Sequence, residues 1–166
     1  MDFISSVREN KWGIELNFMK TILVSACLLG ENCKYNGGNN DSEAVHEFVK
    51  NCRVIPVCPE VLGGLPIPRC PSELVGGVVM NAEGENVDRQ FREGAAKALA
   101  IGKENGAELA ILQSRSPSCG VREIYDGTFS GQKIPGQGVF AQLLQREGIP
   151  MIDAEELNEG EGNGTC

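Results

Sequence analysis

Three of the seven cysteines, Cys27, Cys58 and Cys119, stand out by position. They lie 31 and 61 residues apart, and each follows a short apolar run: Cys27 in SACLLG, Cys58 in VCPEVLGG, Cys119 in SRSPSCG after ELAIL. Gly or Pro sits beside each, and such residues let the backbone turn and aim a side chain or an N–H group. Thiolates are soft ligands that select zinc, copper(I) or iron–sulfur clusters. No close CxxC pair signals a zinc ribbon. Three thiols without a clear fourth suit a metal or cluster that keeps one position open. The competing reading makes each a small buried hydrophobe; all three falling in turn-rich segments after strands weighs against it.

Other reactive side chains gather near the trio. Glu60, two residues after Cys58, is the best-placed carboxylate for acid–base work. Ser116 and Ser118 flank Pro117 just before Cys119, where they could bind a ligand or cap the turn. Arg69 in LPIPR could meet an anionic or carbonyl group, or simply solvate a loop. Gly138, in Gly136-Gln137-Gly138, opens a helix and could offer N–H donors to a polar ligand. His46 is the only histidine and falls inside an expected helix, so it reads as a solvated helix residue. Cys33 is close enough to Cys27 to reach the same crevice. Cys52 precedes a strand, Cys70 lies between two prolines, and Cys166 falls in a polar tail.

These residues need a frame. Thr21–Ala26, Arg53–Val57, Glu108–Leu112 and Ile149–Ile152 read as strands, with Pro56 making the second irregular or placing it at an edge. A fifth, short strand is expected over Gly76–Met80. Asp41 or Ser42 could cap a helix running to about Lys50. Asp88–Asn105 is the clearest helix, with Phe91, Ala95, Ala98, Leu99 and Gly102 on one face. Val139–Arg146 is a shorter one. Apolar strands alternating with helices point to an α/β fold, a single three-layer, Rossmann-like domain with a mostly parallel sheet. Ligand sites of such sheets gather beyond the carboxyl ends of the strands, where the trio falls.

The 166 residues suffice for one domain with a core. Residues 1–19 read as a loosely attached leader, 20–157 as the domain and 158–166 as a mobile tail. A net charge of −8 disfavours a nucleic-acid partner, which needs clustered Lys and Arg. No apolar run approaches a membrane span and no signal-peptide core is visible, so the cytoplasm is the expected location.

The ordered set SACLLG, CKYNGG, VCPEVLGGLPIPR, SRSPSCG, DGTF and GQGVFAQLL resembles the thiouracil desulfidase family over residues 20–153. The resemblance implies an α/β fold holding a [4Fe-4S] cluster through Cys27, Cys58 and Cys119, with one iron free of protein ligands. It implies catalytic roles for Glu60 and Ser116, with Ser118, Arg69 and Gly138 on the substrate. The implied reaction is non-redox removal of sulfur from a small thiolated pyrimidine, giving uracil and sulfide. Two positions depart from the family pattern: Asn36 stands where Asp is common, and Gln113 where Lys is common. The alternatives are a non-catalytic thiol carrier of metal or sulfur, and desulfuration of thiouridine in tRNA. Oligomeric state is not legible.

Overall fold

The computed structural model describes residues 20–159, and of the preceding segment only two short strands, β1 (Val7–Glu9) and β2 (Glu15–Asn17), paired antiparallel. The rest of the expected leader, and residues 160–166 with Cys166, lie outside the described residues. The chain continues through β3 (Thr21–Ser25), a 3-10 turn (Ala26–Leu29), α1 (Glu43–Val49), β4 (Arg53–Val57) and α2 (Pro59–Leu62). Next come β5 (Ser72–Val75), β6 (Val78–Asn81), α3 (Asp88–Glu104), β7 (Leu109–Leu112), β8 (Glu123–Tyr125) and β9 (Lys133–Pro135). The described chain ends with α4 (Val139–Arg146), β10 (Met151–Asp153) and α5 (Ala154–Glu159). Thus α5 runs into the expected tail, through Asn158 and Glu159.

The central sheet is fully parallel in the order β10-β7-β3-β4. Alternate residues of its inner strands serve opposite faces, as the period-two geometry of a strand requires. Ile22 and Val24 of β3, with Leu109 and Ile111 of β7, pack toward Val45 and Phe48 of α1 and Ala154 of α5. Leu23, Ala110 and Leu112 face the other way, onto Phe91, Ala95 and Ala98 of α3 and Phe140 and Leu144 of α4. Both faces are covered, which makes the three expected layers. Pro56 sits on β4, the edge strand, where a missing N–H costs no ladder bond. Ser42 is the cap of α1: its Oγ accepts the Val45 N–H at 3.3 Å.

Two strand expectations shift. The last strand runs Met151–Asp153 rather than Ile149–Ile152. Gly76 and Gly77 do not begin a strand; with φ of +58° and +85° they turn β5 into β6, and the ladder resumes at Val78. The β8–β9 hairpin was not anticipated, because three-residue strands carry too little periodicity to read. Among the described residues, no helix is long and apolar enough to cross a membrane.

The connection from β3 passes outward to β4, then back across to β7 on the other side. Neighbouring strands whose connections leave in opposite directions open a crevice at their carboxyl ends. That crevice is the site.

Candidate functional site

A cavity of about 700 Å³ opens beyond the carboxyl ends of β3, β4 and β7. Cys27, Cys58 and Cys119 all line it, together with Cys33, Glu60, Arg69, Ser116 and Ser118. Cys27 lies in the 3-10 turn after β3, Cys58 is the extended cap residue of α2, and Cys119 sits in the loop after β7.

Each thiol is fixed by its own local structure. Asn40 folds back over Cys27: its amide N–H donates to the Cys27 carbonyl at 2.9 Å and its Nδ2 reaches the sulfur at 3.4 Å. Cys58 is placed by contact between α2 and α3. A Cβ at Gly94 would lie 1.7 Å from the Pro59 carbonyl oxygen, and one at Gly63 would lie 1.9 Å from that of Gln90. Only two glycines let the helices meet so closely. Cys119 is held from behind by α4, whose first N–H groups bind the reactive loop. Val139 donates to Pro117 O at 2.9 Å, and Phe140 to Ser118 O at 2.8 Å.

The same contacts place Gly138 behind the loop. It does not line the cavity, its N–H is spent on the Gly120 carbonyl at 2.8 Å, and a Cβ there would lie 2.5 Å from Ser118 O. The helix start offers its donors to protein, and Gly138 serves close packing.

The hydroxyls and the carboxylate form a chain. Ser116 Oγ accepts the amide N–H groups of Ser118 at 3.1 Å and Cys119 at 3.0 Å. Its own proton is thereby directed to Ser118 Oγ, 2.9 Å away. Ser118 lies 3.0 Å from Glu60 Oε2 and 3.7 Å from the Cys119 sulfur. Its proton is shared between the carboxylate, the nearer and stronger acceptor, and the more distant sulfur. Glu60 Oε1 accepts from Arg69 Nε at 3.0 Å.

The fourth thiol, Cys33, is buried on the same wall, and its carbonyl accepts the Cys58 thiol at 3.9 Å. The neighbouring Cys27 and Cys58 sulfurs raise the Cys33 pKa, and Cys33 lowers theirs. Cys58 is drawn down to about 7, first by Cys33, with the Val61 N–H and Arg69 helping against burial. Cys27 is lowered by Cys33 and, against burial, by Asn40. Burial pushes Cys119 up to about 12, opposed by hydrogen bonds from Ser25 and Ser118.

Sequence reasoning missed Asn40 and Ser25; Cys33, expected to be within reach of the crevice, does line it. The one available signal was the short Cys27–Asn40 spacing across the CKYNGG turn. Residues Tyr35, Tyr125 and Phe129 also line the cavity. Of the two departures from the family pattern, Gln113 lines it, whereas Asn36 is exposed and only accepts the Gly38 N–H. His46 is half exposed on α1, paired with Asp41 at 2.7 Å. Cys52 is buried at the amino end of β4, and Cys70 lies beside Glu83.

Comparison with known proteins gives a consistent result. The family model of 2-thiouracil desulfurase matches residues 22–156. The uncharacterized protein YbbK of Bacillus subtilis (strain 168) is 45% identical over 148 residues, spanning 83% of this chain and 98% of that relative. A solved structure of a [4Fe-4S]-dependent thiouracil desulfidase, TudS, superposes with a TM-score of 0.79 at 39% identity. The match covers 84% of this chain and 94% of that one.

Proposed function

The chain belongs to the 2-thiouracil desulfurase family, and from that premise we propose that it is an iron–sulfur enzyme that removes sulfur from small thiolated pyrimidines. The observation that carries this reading is the convergence of three strand-end thiols on one cavity with a Glu60–Ser118–Ser116 chain at their side. The donor set fits a cluster: Cys27, Cys58 and Cys119 would hold it, since soft thiolates are its ordinary ligands.

When bound, a [4Fe-4S] cluster with one open iron supplies a Lewis acid for the thiocarbonyl sulfur. The remaining work belongs to the chain. Glu60 takes a proton from the attacking water while Arg69 holds its other oxygen. Ser118 and Ser116 carry a proton between that carboxylate and the ring or the departing sulfur. The side chains at the cavity wall exclude bulk water and orient the ring. The balance is thiouracil plus water to uracil plus hydrogen sulfide, with no redox change.

The test is anaerobic reconstitution, with iron and sulfide counted per chain and uracil measured from 2- and 4-thiouracil. Cluster-loaded protein should turn over a thiopyrimidine, and Cys27→Ala should lose both iron and turnover. Full activity without iron, or stoichiometric zinc with no turnover of any thiopyrimidine, would overturn the reading.

A further inference from the structure

Arg69 is a nearly buried cation of the cavity wall. Its side chain is 7% exposed and that of its partner Glu60 16%. A residue meant to greet an incoming ligand would present its donors to the open space. Arg69 instead commits three of its five side-chain N–H donors, one from each nitrogen, to the protein. Nε donates to Glu60 Oε1 at 3.0 Å, one terminal nitrogen to Pro66 O at 3.3 Å, and the other to Cys33 O at 2.9 Å. The backbone repeats the attachment, since the Arg69 N–H donates to Tyr35 O at 2.7 Å. One planar fork therefore joins α2, the turn before Arg69, and the loop that follows Cys27.

The joined parts are the two halves of the site. Glu60 is the carboxylate of the proton chain. Cys33 belongs to the loop that lines the cavity with Cys27 and Cys58. Without the fork, the Glu60 carboxylate would keep only the Ser118 bond on Oε2 and could rotate away from it. The Cys33 carbonyl would keep only the long contact from the Cys58 thiol, at 3.9 Å.

We propose that Arg69 is a positioning residue rather than a substrate contact, locking the Glu60 carboxylate to the thiol-bearing Cys33 loop so that base and metal-binding groups keep one fixed geometry. The inference rests on the function proposed above and adds to it a role for a residue that the sequence assigned to substrate. Three acceptors on three segments match a guanidinium, which has donors in a rigid plane; a lysine ammonium is a single point and cannot span them. Displacement of a catalytic group by about 1 Å is enough to lose on the order of a hundredfold in rate.

The experiment compares the full-length, cluster-loaded protein with Arg69→Met and Arg69→Lys. Iron per chain, kcat, KM and amide hydrogen exchange over residues 31–40 are read for each. Arg69→Met should keep its iron, lose kcat by about ten- to a hundredfold, and change KM by less than about threefold. Exchange over 31–40 should accelerate. Arg69→Lys, which keeps the charge but not the fork, should fall between the two, and it carries the test if Arg69→Met does not fold. A rise in KM at unchanged kcat would make Arg69 a substrate contact and overturn the proposal. Parent-like kcat and exchange in Arg69→Lys would show that charge alone matters, and would also overturn it. An inactive loaded parent would instead sink the proposed function, and this role with it.

Discussion

Glu60 carries a different hydrogen bond on each carboxylate oxygen, and the asymmetry gives its neighbours separate duties. Arg69 holds Oε1, while Oε2 receives the Ser118 hydroxyl. The two serines are not equivalent. The Ser118 hydroxyl reaches Glu60 and the Cys119 sulfur, whereas Ser116 Oγ also caps two loop amides, including that of the ligand candidate Cys119. Ser118→Ala should therefore leave iron content intact and lower kcat by about a hundredfold, the ordinary worth of acid–base assistance. Ser116→Ala should lower kcat and also impair iron loading. Equal iron loss in both variants, or none in either, would refute this division. Much of this was legible from sequence. Cys27, Cys58, Cys119, Glu60 and both serines were named because each stands a fixed few residues past a readable strand, and the structure puts all six around one cavity. The inward turn of Arg69 was not legible, because it depends on the path of a loop that has no periodic pattern.

Between residue and fold stands the contact of α2 with α3. α2 has only four residues and no stability of its own; it exists because Gly63 and Gly94 let it lie directly on the longer helix. Its first turn carries Glu60 and its cap is Cys58, so the seating of this turn aims a thiol and a carboxylate together. Gly94→Ala would drive a methyl into the Pro59 carbonyl, and α2 would have to lift. We expect a loss of about 1–3 kcal/mol, the usual cost of overpacking, seen as a lower Tm, together with incomplete iron uptake on reconstitution. Parent-like Tm and iron content would show that the glycine contact does not aim the site. The Asp88–Asn105 pattern announced α3 correctly, since its apolar face repeats over nearly five turns. It could not announce α2, because four residues do not complete a period and their partner is remote in sequence.

At the scale of the whole molecule, stability is distributed unevenly. Ile22, Leu23 and Val24 of β3, with Ala110, Ile111 and Leu112 of β7, are fully buried between two helical layers. Lys133, Ile134 and Pro135 of β9 are exposed, as is Phe129 in the turn before it. Native-state hydrogen exchange should find β3 and β7 the slowest segments, near the global unfolding free energy. The β8–β9 hairpin should open far sooner. A hairpin as protected as the central strands would contradict this picture. The parallel sheet and its layers were legible because buried strands read as continuous apolar runs, while the β8–β9 hairpin was not, because its strands have three residues each and β9 is exposed throughout.

The grip of α4 on the loop before it has a practical corollary for anyone who would transplant this site. The segment bearing Ser116, Ser118 and Cys119 owes its shape to Gly138, Val139 and Phe140, some twenty residues downstream, as well as to the caps that Ser116 makes within it. Grafted alone onto another scaffold, it would arrive without the amides that hold its carbonyls, and its three side chains would lose their common direction. The portable unit is therefore the loop with its helix. A designer should move residues 113–146 as one module, or else rebuild the helix start beneath whatever loop is borrowed.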